Sequence, residues 1–180
     1  MTQRPPIQIV EYDSRWLRDF AVLRDALTAA LGAVAVAVEH VGSTSVPDLA
    51  AKPIIDIDVV IESREQLPDL IAILGTLGYA HEGARGIPGR EAFGTEDRAS
   101  PPHHLYVCAQ DCAELARHLA LRDYLRRHPG DARAYGELKR TLARRFLHNI
   151  DAYVEGKTAF LENILRICIP TPSHVASCSP

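Results

Sequence analysis

Gly42-Ser-Thr-Ser-Val-Pro-Asp-Leu-Ala-Ala-Lys-Pro-Ile-Ile-Asp-Ile-Asp-Val-Val-Ile61 is the stretch that decides the fold of this chain. Its second half, Ile54 to Ile61, is β-branched at every position except two, the strongest strand signal in the sequence. The exceptions are Asp56 and Asp58. Side chains alternate between the faces of a strand, so both carboxylates project from one side, opposite Ile55, Ile57, Val59 and Ile61. Two like charges on one face of a core strand repel each other and are costly to desolvate. A divalent cation relieves both penalties, and hard carboxylate oxygens are the ligands that Mg²⁺ takes. An edge strand with a wetted face is the alternative, but so apolar a segment does not look like an edge. The pair is therefore read as a metal or substrate site.

The first half of the stretch follows a second strand signal, Val34 to Val41. Gly42-Ser43 is a turn in which a glycine lets backbone N–H groups approach a phosphate and a hydroxyl adds a donor. On its own a Gly-Ser turn is weak evidence. Its distance from the D-x-D pair on the next strand matters more. Lys52, just before Pro53 and the acidic strand, would bring a cation near phosphates, or is a solvated loop lysine.

Outward from this centre, Ile7 to Tyr12 alternates and reads as a first strand. Trp16, Phe20, Leu23, Leu27 and Leu31 then form one helical stripe that stops at Gly32. Arg64 to Leu77 has helical spacing, and Tyr79 to Glu82 reads as a short strand. Gly83 to Pro102 is rich in glycine and proline, with a strand expected around Arg90 to Phe93. His103 to Cys108 alternates as another strand. Helices are expected over Cys112–Arg127, Asp131–His148 and Asp151–Ile167, with His128-Pro129-Gly130 as a break. The order predicts one α+β domain over residues 1–169, a mixed β-sheet with helices packed on it and a helical C-terminal layer. The stretch Pro170–Pro180, rich in Ser, Pro and Thr, is expected to be disordered.

Composition sets outer bounds. The 180 residues suit one domain with a core of its own, and 47% hydrophobic with 24% charged residues is ordinary for a globular protein. No apolar run approaches the roughly 20 residues that span a bilayer, so no membrane partner is expected and a cytoplasmic location is the default. Cys108, Cys112, Cys168 and Cys178 match no C-x2-C spacing, and with His103 and His104 no H-x3-H pair either. They are read as free thiols rather than a zinc site. The net charge of −3 hides a segment, Arg117 to Arg145, with nine basic residues against three acids. Such a patch attracts a polyanion or a nucleoside triphosphate, or is the solvated face of helices. No aromatics interleave with it, so nucleic acid is not the expected partner.

The stretch from His40 to Val59 resembles the signature of the GrpB family, within the nucleotidyltransferase superfamily related to DNA polymerase β. The likeness continues through His103-His-Leu-Tyr-Val107, Leu121-Arg-Asp-Tyr-Leu-Arg126, Tyr135-Gly-Glu-Leu-Lys139 and Tyr153-Val-Glu-Gly-Lys-Thr-Ala-Phe160. The resemblance implies a nucleotidyltransferase fold with Gly42 and Ser43 at a phosphate-binding turn. It makes Asp56 and Asp58 metal ligands, and Arg122 and Lys139 phosphate or acceptor contacts. The implied activity is Mg²⁺-dependent transfer of a nucleotidyl group from a nucleoside triphosphate to an acceptor that is not specified. Family members fused to dephospho-CoA kinase point to nucleotide metabolism. Active superfamily members present a third carboxylate from a later strand, whereas His103 to Cys108 holds no acid. His104, on one face with Tyr106, is the catalytic candidate there, as a general base or substrate contact. The acid-free strand keeps two alternatives open: a non-catalytic nucleotide-binding module, or a specialised biosynthetic enzyme reusing the cleft. Asp48 stands where many members of the family have glycine.

Overall fold

A computed structural model describes residues 5–95 and 101–169. Five strands form one mixed sheet in the order β1-β2-β5-β4-β3. They are β1 (Ala37–Val41), β2 (Ile55–Ile61), β3 (Tyr79–Gly83), β4 (Arg90–Thr95) and β5 (His103–Ala109). The central pair, β2 and β5, is parallel, and every other pairing is antiparallel.

The alternation of β2 sorts the molecule into layers. Ile55, Ile57, Val59 and Ile61 join Leu105, Val107 and Phe93 in the main core. Two helices close that core, α1 (Arg15–Leu31) through Trp16, Leu23, Leu27 and Leu31, and α2 (Leu67–Thr76) through Leu70 and Leu74. The other face of β2 carries Asp56 and Asp58. It turns toward a layer of three helices, α3 (Ala113–Arg127), α4 (Pro129–Arg145) and α5 (Ile150–Cys168). Val46 and Leu49, from the segment between β1 and β2, lock into that layer beside Leu125, Tyr135 and Ile164. The sheet thus lies between two helical layers, one sealed by hydrocarbon and one lined with charge.

Several sequence expectations shift. Ile7 to Tyr12 is not a strand, because only Val10 pairs, in a single antiparallel bridge with Ala51. Its alternation has another cause: Ile7 and Ile9 pack on a small cluster with Leu142 and Tyr153, while Val10 and Tyr12 pack on the main core. The segment straddles two cores, and that mimics a strand. The strand expected from Val34 begins at Ala37, since Gly32–Val34 forms a 3₁₀ turn after α1. The helix expected from Arg64 begins as a 3₁₀ turn over Arg64–Gln66, where Ser63 and Gln66 form a reciprocal capping box. The Pro170–Pro180 stretch, with Cys178, lies outside the described residues. Cys108, Cys112 and Cys168 are free thiols. No helix among the described residues is long and apolar enough to cross a membrane.

Candidate active site

The site begins where β1 runs into its turn. Gly42 has φ +68°, a region that L side chains rarely enter. A Cβ there would lie 2.2 Å from Asp56 Oδ2 and 2.9 Å from Asp56 Cγ. Glycine is therefore required twice over, by the backbone and by the carboxylate pressed against the turn. The Ser45 hydroxyl donates to the Gly42 carbonyl at 2.7 Å and tightens the loop. Asp48 adopts φ +61°, a left-handed conformation that glycine enters without strain and that aspartate tolerates.

The two acids, on one face as expected, meet different surroundings. Asp56 is partly exposed to the cleft, with Oδ1 2.9 Å from His104 Nδ1, its register partner on β5. Asp58 is fully buried. His118 of α3 donates from Nδ1 to Asp58 Oδ2 at 2.7 Å, and its Nε2 lies 3.2 Å from Glu114 Oε1. Burial opposes a charged imidazole there, but the bonds and charges of Asp58 and Glu114 outweigh it and push the His118 pKa up to about 9. Asp58 Oδ1 remains buried with no hydrogen-bond partner.

Opposite the acids stand amines. Lys139, almost wholly buried on α4, donates to Ser43 Oγ at 2.8 Å, and Tyr135 also bonds Ser43. Burial, with Lys157 and Arg140 nearby and Asp56 only partly offsetting them, pulls the Lys139 pKa down to about 7. The Lys157 pKa is lowered by burial and by Lys52, against the pull of Asp56. Lys52, Lys139 and Lys157 thus converge on a cavity of about 400 Å³ that Ser43, Asp56 and His104 also line. A second cavity, of about 250 Å³, shares Ser43, Asp56 and His118, and continues to Leu121, Leu125 and Leu161.

Gly42, Ser43, Lys52, Asp56, His104 and Lys139 thus surround one cleft, with Asp58 beneath it. Arg122 lies in the apolar lobe instead. It donates to Glu39 at 2.6 Å, to Asp123 at 2.8 Å and to the His40 carbonyl at 3.3 Å. Part of the basic segment is a brace within the fold, while Arg127, Arg133, Arg144 and Arg145 are exposed. Arg117 pairs with Glu162, Arg126 donates to the Ser45 carbonyl, and Arg140 binds Glu11 and Glu137. Glu91 of β4 sits on the far face of the sheet with Arg64 and His81 and so does not reach the aspartates. Glu96 is outside the described residues. His118 and Lys157 were not singled out from the sequence. The available signal was spacing: Glu114, His118 and Arg122, and likewise Tyr153, Lys157 and Leu161, recur every fourth residue on one helical face.

The orphan Asp58 oxygen and the Asp56 carboxylate form a hard-oxygen donor set that fits Mg²⁺. Among the described residues no three His, Cys, Asp or Glu side chains converge to hold an ion. An ion here would rest on the two aspartates and on oxygens brought by a substrate, as Mg²⁺ in phosphate chemistry commonly does.

The family profile described as "GrpB protein" matches residues 6–166. The chain belongs to the GrpB family. It is 35% identical to the UPF0157 protein YqkA of Bacillus subtilis over 87% of this chain and 45% of that one. It is 36% identical to PA4798 of Pseudomonas aeruginosa over 93% of this chain and 70% of that one. The chain therefore spans less than half the length of YqkA. The crystal structure of the conserved protein GrpB from Enterococcus faecalis superposes with a TM-score of 0.80 at 37% identity, covering 89% of this chain and 96% of that one. Cid1, described as having RNA terminal uridylyl transferase activity, matches with a TM-score of 0.54 at 16% identity, over 76% of this chain and 44% of that one. That likeness shows the nucleotidyltransferase fold. A dephospho-CoA kinase of Mycolicibacterium paratuberculosis carries a GrpB-like portion, 29% identical over 91% of this chain and 46% of that one.

Proposed function

We propose that this GrpB protein transfers a nucleotidyl group from a nucleoside triphosphate to a separate acceptor, with Mg²⁺ held by Asp56 and Asp58. The observation that carries the reading is the contact of the Gly42-Ser43 turn with Asp56, facing three converging lysines. A glycine turn, one hydroxyl and three ammonium groups together suit a polyphosphate. When bound, Mg²⁺ neutralises phosphate charge and polarises the reacting phosphorus.

The chain's own residues do the rest. Ser43, held by Lys139 and Tyr135, presents its oxygen at the turn. Lys52, Lys139 and Lys157 neutralise the β- and γ-phosphates. His104 orients the outer carboxylate and faces the same phosphates, while His118 holds Asp58 in one orientation from behind. Arg122, fixed by two acids, shapes the far lobe. The setting fits a cytoplasmic protein with reduced thiols.

A second reading rests on one observation. In the β2–β5 register the partners of Asp56 and Asp58 are His104 and Tyr106, so β5 brings no third carboxylate to the pair. This favours a nucleotide-binding module that does not turn over. Calorimetry with ATP, GTP, CTP and UTP in Mg²⁺ tests binding, and incubation of each labelled triphosphate with a metabolite extract tests transfer. Ser43→Ala and Lys52→Ala should weaken ATP more than adenosine. Equal losses for both ligands would remove these residues from the phosphate site, and binding without transfer would favour the module.

A further inference from the structure

The cleft has two chemically different ends, and Asp56 stands between them. Along α5, Tyr153, Lys157 and Leu161 follow one another at four-residue steps, so about 12 Å of wall separates the first from the last. Along α4, Lys139 and Tyr135 grade in the same sense. The end toward Lys52, Lys139 and Lys157 is cationic. The end toward Leu121, Leu125 and Leu161 is apolar. The cation peculiar to the apolar end, Arg122, is matched by Glu39 and Asp123, whereas Arg90 and Lys157 line both ends.

In-line displacement at phosphorus sets the attacking oxygen opposite the leaving one. With the α-phosphorus beside Asp56 and pyrophosphate leaving among the lysines, the attacking oxygen enters from the leucine side. Resting on the nucleotidyl-transfer reading, the geometry points to a small uncharged acceptor with an aliphatic or ring body and a hydroxyl nucleophile, seated against Leu121, Leu125 and Leu161. The acceptor oxygen bonds to the α-phosphorus, the bond between α-phosphorus and bridging oxygen breaks, pyrophosphate departs and the hydroxyl proton passes to water.

A polynucleotide end fits this lobe poorly. Tyr135, the aromatic ring lining it apart from Tyr106, is buried and already stacked on Phe160 with centroids 5.2 Å apart. Tyr106 lies beneath the Arg90 guanidinium at 4.1 Å. The nearby Arg122 and Arg126 donate to Glu39, Asp123 and the Ser45 carbonyl rather than outward to phosphates. Leu121 and Leu161 are only partly buried, so an apolar ligand gains area by covering them.

The test uses the full chain with Mg²⁺ and ATP, measuring pyrophosphate release with primary alcohols of increasing length and with an oligoadenylate primer. The expected kcat/KM rises roughly fourfold for each added methylene until the lobe is filled. Leu161→Asn should flatten that series while the ATP dissociation constant, read by calorimetry, changes less than about twofold; Leu161→Met should restore it, and a thermal melt confirms that both variants fold. A rate independent of chain length, no release with any alcohol while ATP binds, or preferential extension of the oligoadenylate would overturn the assignment. A tenfold loss of ATP affinity in Leu161→Asn would give the lobe to the nucleoside instead and also overturn it. Failure of the unaltered protein to bind any triphosphate is a different result, since it sinks the nucleotide reading itself.

Discussion

The two faces of β2 carry side chains from the same seven residues and live in opposite environments. One face puts Ile55, Ile57, Val59 and Ile61 into hydrocarbon. The other holds Asp58 with no solvent access, bound to an imidazole, beside a partly exposed Asp56. The first face is stabilised by area removed from water, which is indifferent to pH and to ligand. The second is stabilised by pairing, and its balance depends on which protons and phosphates are present. A single strand thus couples a rigid support to a polar site that responds to its contents.

Breaking the apolar face should have the largest effect on stability. Ile57 is fully buried, and Ile57→Ala should cost about 2–5 kcal/mol through lost burial and a cavity between β1 and β5. Chemical denaturation checks this, and a loss below about 1 kcal/mol would mean the core closes over the gap.

On the polar face, Gly42→Ala should nearly abolish Mg²⁺-dependent triphosphate binding. The new Cβ has no room beside Asp56 and the turn must open. Calorimetry on the variant decides it; near-normal affinity would show that the turn does not touch phosphate.

The two aspartates should then part company. Removing one of two facing charges, judged from the strand alone, relieves repulsion, and Asp56→Asn should leave the melting temperature unchanged or slightly raised. Asp58→Asn should instead lower it by several degrees, because His118 loses one of its two acidic partners in a buried setting. The His118 pKa is raised in the folded state, so its contribution is complete below about pH 6.5 and is lost as the pH climbs toward about 9. Melts in EDTA across that range should show the slope in the unaltered protein and a shallower one in Asp58→Asn, where Glu114 alone still raises the His118 pKa. Identical behaviour of the two variants would remove the distinction.

The smallest effect concerns Lys139. Its ammonium form is disfavoured above about pH 7 by burial first, then by Lys157 and Arg140, with Asp56 only partly compensating. Phosphates favour the charged form, so triphosphate affinity should be full below pH 7 and decline as the pH rises above it. A severalfold loss between pH 7 and 9 is expected, flattened in Lys139→Arg, whose guanidinium stays charged. Affinity that is level with pH in the unaltered protein would place the phosphates away from this amine.

How much of this was legible beforehand depended on the range of the interaction. Strand periodicity is local, so the shared face of Asp56 and Asp58 and the core role of Ile57 could be read from a few residues. The turn and the acids are close in sequence, which made their association legible as well. The N-terminal alternation misled because two separate cores, not a sheet, impose it on Ile7 to Tyr12. The charge count of the basic segment could not show its partners: Glu162, Glu39 and Glu11, which pair with Arg117, Arg122 and Arg140, lie far away along the chain.

By itself, then, the sequence determined the elements, the face on which the acids sit and the turn that precedes them, since backbone sterics and side-chain alternation act within a few residues. Only the tertiary structure decided that His118 lies behind Asp58, that Lys157 joins Lys52 and Lys139, and that leucines line the opposite end of the cleft. Those placements depend on the rotation and height at which α3, α4 and α5 dock against the sheet. That docking is set by the summed packing of Val46, Leu49, Leu125, Tyr135 and Ile164, and no single residue's propensity encodes it.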